Sequence, residues 1–353
     1  MYLRNGGVSM SVRYIFLIII LLNSAATFAA FKESKILLIK SSDMAMYQNV
    51  ELAFKQFLST SGNHLINVRS LVLSEIDDSQ QTILHLSIVY DLILTIGTEA
   101  TEKTLSVGVK TPVVSVLIPQ QTYLNLINLE RKSFQAEFDV FRTAIFLDQP
   151  FQRQIWLANL VDPQGNISVF GESPHNNELN YTENCFTSVA SEKFNKVSIY
   201  QENIAVTSIP HVLNKTGIAI ATPLFIKKMA DNAKWLLYMA YQRNIPVIGY
   251  SEAFVRSGAV AAVFSSPANF GKEAAELVSH FFSSQRHPLI PPKHPRYFNV
   301  RVNQRVAKSL GFGDLTESGL IASLKKMEIA CNDYMRQNND KPKQRMTELK
   351  NNE

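Results

Sequence analysis

Asp91-Leu-Ile-Leu-Thr-Ile-Gly-Thr98 reads as a strand that ends in a tight turn. An apolar run without polar alternation is what a strand buried on both faces of a parallel sheet needs. Lys35-Ile-Leu-Leu-Ile39, upstream, is a run of the same kind. Ser41-Ser42-Asp43 follows it as a natural helix N-cap region. Val50, Ala53, Phe54, Phe57 and Leu58 then recur at i, i+3, i+4, i+7 and i+8, the spacing of a helix packed on one face. Val68–Leu73 predicts a second strand, Thr82–Tyr90 a helix, Ala100–Val107 a short helix and Pro112–Val116 a fourth strand. Strand, helix and strand at this spacing make βαβ units and a parallel sheet.

The pattern weakens from Pro119 to Asp139 and restarts at Gln149-Pro150, which opens a helix containing Phe151, Ile155, Leu157 and Leu160. Strands are predicted at Ile167–Phe170, Val197–Tyr200, Gly217–Ala221, Pro246–Gly249 and Ala259–Val263, with a helix face of Ala233, Leu236, Leu237, Ala240 and Tyr241 among them. A helix over Asn269–Phe282, a proline-rich connection over Pro288–Pro295, an alternating strand over Arg296–Val302 and a helix over Asn303–Leu310 follow. The chain therefore holds two βαβ series of similar size, each with its own sheet.

The N-terminus carries Arg13, an apolar run from Tyr14 to Leu22, and then Ser24, Ala25, Ala26, Ala29 and Ala30. A basic start, a short apolar core and a small-residue exit describe a secretory signal over residues 1–30. The core is shorter than a membrane-crossing helix requires. Its removal leaves about 320 residues, more than one core usually supports, which suggests two lobes. The formal net charge of +5 is mild and the basic residues are scattered, so no nucleic-acid partner is expected. The end of the chain, from about Asn332, is polar and reads as a solvated helix end or tail. Cys185 sits in an irregular stretch and Cys331 borders the polar end. Two unpaired thiols are expected, although an oxidising compartment would permit a disulfide.

A search for catalytic patterns returns little. The chain has no Gly-x-Ser-x-Gly elbow, phosphate loop or dinucleotide fingerprint. Its histidines lack metal-ligand spacing, and His287 and His294 read as surface residues beside the prolines. Asp77-Asp78 reads as a solvated loop. No catalytic residue, metal or cofactor is implied. What remains is a set of polar residues at strand ends, where open parallel sheets bind ligands. They are Ser41, Ser42 and Asp43 after the first strand, Gly97 and Thr98 after the third, and Ser115 near the fourth. In the second series they are Thr222, Tyr250, Ser251 and Glu252. Hydroxyls and free backbone N–H groups there suit a small polar or zwitterionic solute. Tyr47 and Tyr250 are candidates to stack on a planar one.

Two later stretches add a resemblance. Asn244-Ile-Pro-Val-Ile-Gly-Tyr-Ser-Glu-Ala-Phe-Val-Arg-Ser-Gly-Ala-Val-Ala-Ala-Val-Phe-Ser-Ser-Pro267 and His294-Pro-Arg-Tyr-Phe-Asn-Val-Arg-Val-Asn-Gln-Arg-Val-Ala-Lys-Ser-Leu-Gly311 resemble substrate-binding components of ABC-type importers. The nearest likeness is to a family grouped with tryptophan and tyrosine transport binding proteins. The likeness is specific over Thr222–Gly311 and looser over Ser34–Pro223. It implies an α/β, type I periplasmic-binding-like fold: two Rossmann-like, doubly wound lobes joined by a multi-strand hinge. The implied crossings lie near Ala144, after Val263 and near Tyr297. The implied division is an N-terminal lobe of residues 31–143 plus 266–295, a C-terminal lobe of 144–265 plus 296–330, and a polar tail of 331–353. The function so implied is capture of a small-molecule ligand by a periplasmic monomer, without chemistry. The partner would be an inner-membrane ABC permease; a sensor kinase is the alternative. Relatives often carry an acidic residue before the proline of Ala221-Thr222-Pro223; here it is Thr222, and Glu252 is the nearest acidic substitute.

Overall fold

A computed structural model describes residues 33–60, 66–76, 80–134, 141–171, 178–189, 194–200, 206–223, 230–284 and 289–339. The expected signal segment, Asp77-Asp78, His287 and the last fourteen residues lie outside the described residues. The first unit runs β1 (Ser34–Lys40), α1 (Ala45–Thr60), β2 (Ile66–Val72), α2 (Gln80–Val89), β3 (Leu92–Ile96), α3 (Thr98–Ser106), β4 (Val113–Ile118), α4 (Gln120–Phe134) and β5 (Arg142–Phe146). Its five strands are parallel, in the order β2-β1-β3-β4-β5. Every residue of β3 and β4 is buried, as continuous apolar runs require.

The second unit runs α5 (Phe151–Val161), β6 (Ile167–Phe170), α6 (Glu178–Val189), β7 (Val197–Tyr200), α7 (Ile209–Leu213), β8 (Ile218–Ala221), α8 (Ala230–Tyr241), β9 (Val247–Gly249), α9 (Glu252–Arg256) and β10 (Ala261–Phe264). After it come α10 (Pro267–Ser283), β11 (Asn299–Val302), α11 (Gln304–Ser309) and α12 (Glu317–Asn339). The second sheet has the order β11-β10-β9-β8-β6-β7, with β11 antiparallel and the rest parallel. Without β11 its order matches that of the first sheet. Helix α10 returns to the first unit, where Phe270, Ala274, Leu277, Val278 and Phe281 join the core of Val50 and Phe54.

Four expectations need correction. The weak stretch after Pro119 is helix α4, which was missed because it buries only Tyr123, Ile127 and Glu130, one of them an acid. Glu130 is held by Arg142: Nη2 to Oε1 is 2.8 Å, with both side chains buried. The same guanidinium donates to the carbonyls of Val109 and Thr111. Ala144 lies inside β5, so the first crossing comes after Phe146. Cys185 is on helix α6 and Cys331 is buried on α12, which runs to Asn339. The two are joined as a disulfide, with Cα atoms 5.3 Å apart and a sequence separation of 146 positions. Packing of α6 on α12 brings the thiols together, a proximity no local pattern shows. His294 is half-buried, edge-on to Phe146, with Nδ1 3.0 Å from Asp148 O.

Candidate functional site

The chain passes between the units three times: at Leu147–Pro150, at Ser265–Ser266 and at His294–Phe298. On the first-lobe side, Lys293 N donates to Ala144 O and Phe146 N to Lys293 O, each at 2.9 Å. Asp148 Oδ2 accepts from Gln120 N at the start of α4 (2.7 Å). Burial pushes that carboxyl up, opposed by the bond from Gln120.

In each sheet the strand order reverses between the first strand and the third, at β1/β3 and at β6/β8. Ligands of open α/β sheets bind beyond the strand ends at such points. At the first, Ser41 is buried; its Oγ donates to Ile96 O (3.2 Å) and accepts from Ala100 N (2.9 Å). Gly97 follows Ile96 at φ 97°, and a Cβ there would stand 2.5 Å from Ser41 Oγ and 3.0 Å from the Tyr47 phenol. The Tyr47 ring therefore lies against the turn that starts α3. Burial pushes the Tyr47 hydroxyl up, and the charge of Glu99 adds to it. Thr98 is half-buried at the start of the helix, which no side chain caps at Gly97.

At the second switch point, Thr222 N and Oγ1 both donate to Phe170 O at 3.1 Å. Gly171 follows Phe170 at φ 151°, and a Cβ there would lie 1.9 Å from Thr222 Oγ1. Ser41 and Thr222 thus serve as clasps between strands, and their hydroxyl protons are already committed.

Ser41, Ser42 and Asp43 also line an open depression of about 350 Å³ at the ends of β1 and β2. Lys40, Ser74 and Glu75 share it, and the sequence reading singled out none of them. Lys40 binds Glu51 (2.8 Å) and Asp43 (3.2 Å), and Lys55 binds Glu51 (2.7 Å). Glu75 accepts from Val72 N (2.9 Å). No local pattern marks these residues, because Ser74 and Glu75 lie in a single turn after β2 and Lys40 closes β1.

The remaining candidates divide. Tyr250 is half-buried and packs on Phe254 with ring centroids 5.4 Å apart; burial pushes its hydroxyl up. Ser251 caps α9 by accepting from Phe254 N (3.2 Å). Glu252 is paired at the surface with Arg301 (3.1 Å) and Arg256 (3.3 Å), so it is no ready substitute for an acid at Thr222. Ser115 does not reach the strand ends. It is fully buried, accepts from Thr95 Oγ1 (3.0 Å), and belongs to a hydroxyl cluster with Thr101. No group of three or more His, Cys, Asp or Glu suited to a metal occurs among the described residues. None of the described helices is long and apolar enough to cross a membrane.

Solved structures share the fold. The ligand-free, open structure of CD0873, a substrate-binding protein with adhesive properties from Clostridium difficile, superposes with a TM-score of 0.59 at 13% identity, covering 80% of this chain and 96% of that one. A XylFII–LytSN complex mutant gives 0.50 at 14% identity, over 78% and 99%. An ABC domain in complex with L-Trp from Streptococcus pneumonia gives 0.48 at 14% identity, over 79% and 95%. No curated protein matches in sequence. The profile of the ABC transporter substrate binding protein family matches residues 78–320, from α2 into α12. That match spans well over half of the chain, which therefore belongs to the family of ABC transporter substrate-binding proteins.

Proposed function

We propose that this protein captures a small polar molecule between its two lobes by hinge closure and presents the closed form to an ABC-type permease. The observation that carries the reading is the pair of switch points. Two sheets of one strand order each end in a hydroxyl–glycine clasp, with the Tyr47 ring beside the first, and three crossings join them. Tyr47, Ser42 and Thr98 would meet the ligand from the first lobe, and Tyr250 from the second. A ligand touching both lobes favours the closed state by its differential affinity for it. The role requires no bond to be made or broken. Export to the periplasm through the N-terminal segment is part of the reading, and the Cys185–Cys331 disulfide supports it, because such bonds persist in oxidising compartments.

Isothermal titration against amino acids, short peptides, sugars and nucleosides, with X-ray scattering on the same samples, tests this. Saturable binding with a smaller radius of gyration is the expected result. Binding with no compaction would sink the trap. A second reading, ligand sensing for a membrane kinase, draws on the XylFII–LytSN complex among the structural neighbours. Pull-down of the ligand-bound form with a permease rather than a sensor separates the two.

A further inference from the structure

Arg153 lies in the first turn of α5, 4% exposed. Its Nη1 donates to Gln149 Oε1 (2.6 Å) and to Pro295 O (3.1 Å), and its Nε to Glu328 Oε1 (2.5 Å). The guanidinium also lies over the Phe298 ring, 4.2 Å from its centroid. Gln149 passes the link on, from Nε2 to Ser265 Oγ (2.9 Å), and Ser265 Oγ donates to Tyr297 O (2.6 Å). Gln149 belongs to the first crossing, Ser265 to the second, and Pro295, Tyr297 and Phe298 to the third. One buried cation therefore gathers all three crossings.

A second set of bonds holds the first-lobe side of the hinge. Lys293 is bridged into β5, and its ammonium pairs with Glu273 (2.8 Å). Glu273 also accepts from Arg296 N (2.8 Å), and Ser266 caps α10. The two sets meet in the third crossing, where Pro295 O and Tyr297 O face the second-lobe set while Arg296 N and the Tyr297 hydroxyl bind Glu273 and Glu276 of α10. Glu328 is itself fixed: it stands three residues before Cys331, whose disulfide ties that turn of α12 to α6.

We infer that Arg153 is the positioning residue of the hinge. It ties the three crossings to one another on their second-lobe side, so that they move as one set rather than singly. The inference rests on the reading that the lobes move, and the test separates the two. Arg153→Met keeps an unbranched apolar stem on Phe298 and removes every donor. Hydrogen exchange of the full-length, ligand-free protein is followed by mass spectrometry over residues 144–150, 263–267 and 293–299. Inter-lobe distances are read by single-molecule energy transfer, with dyes on non-natural residues at the exposed positions Leu52 and Tyr241.

The expected result is exchange about tenfold faster in all three crossings, with β3 and β8 unchanged and a broader distance distribution. Arg153→Lys, which keeps the charge but not the fork of donors, should restore only part of the protection. Faster exchange confined to α5 would show a merely local role and overturn the inference. A wild-type protein with one fixed inter-lobe distance would instead overturn the moving-lobe reading. If Arg153→Met does not fold, Gln149→Leu leaves the Glu328 pair intact and cuts the link to Ser265. It also removes the bond from Arg153 to the first crossing, so it should loosen the first and second crossings while the third keeps Pro295 O on Arg153; unchanged exchange in the first two would refute the relay.

Discussion

The two lobes make the same switch point with exchanged parts. In the first, the hydroxyl follows β1 and the glycine follows β3; in the second, the hydroxyl follows β8 and the glycine follows β6. In both, the hydroxyl donates to the last carbonyl of the partner strand and leans on the glycine behind that carbonyl. The geometry needs one small oxygen donor and one residue without a Cβ, and either strand can supply either. The lobes differ more in what closes them. The first uses a buried Arg142–Glu130 pair, and the second a disulfide that pins α12.

Breaking each closure separately is the strongest test. Glu130→Ala takes the carboxylate from the buried Arg142 guanidinium, and removing one partner of a buried ion pair typically costs about 3–5 kcal/mol. A urea melt should show the first lobe unfolding early while the second keeps its midpoint. Replacing Cys185 and Cys331 by Ser removes a long-range cross-link, with an expected loss of about 2–4 kcal/mol. That loss should fall on the second lobe, and equal midpoint shifts in both lobes would contradict the division. Gly171→Ala and Gly97→Ala place a methyl on the clasp oxygen at positive φ, for about 1–3 kcal/mol each. Thr222→Ala should relieve part of the first and Ser41→Ala part of the second; simple additivity would show that the clasps do not act as described.

The smallest effect is electrostatic. Burial alone would raise the Glu51 carboxyl, but Lys40 and Lys55 outweigh it and hold its pKa at about 2. A depressed carboxylate contributes stability above its unfolded value, lost as pH falls through the folded one. The window is therefore from about pH 4.5 down to about 2. A shift of that size carries about 3 kcal/mol, which partial exposure and solvent screening cut to about 1–2 kcal/mol. Glu51→Gln should flatten the stability profile of the first lobe in that range and leave the second unchanged.

Much of this molecule was legible in the sequence because burial on both faces of a parallel sheet writes itself into consecutive residues. Leu92–Leu94 and Ile36–Ile39 are apolar throughout, and the turns that follow these strands carry small polar residues. The same reasoning put Gly97 and Thr98 at one strand end, but only the fold brings the Tyr47 ring against Gly97. That reasoning did not show that Ser115 faces inward, because one strand position looks like its neighbour until the helices cover a face. Nor did it show α4, whose inward stripe includes Glu130 and whose partner, Arg142, lies in the next strand.

The amino-acid sequence by itself determined the alternation of strands and helices, the two series and the polar strand ends, since these follow from periodicities of a few residues. Tertiary structure decided the rest: which hydroxyls are spent on carbonyls, that Cys185 meets Cys331, and that Arg153 gathers three crossings. Those are meetings between residues up to 175 positions apart. Local propensity carries no information about them, because only the packed lobes bring the partners within bonding distance.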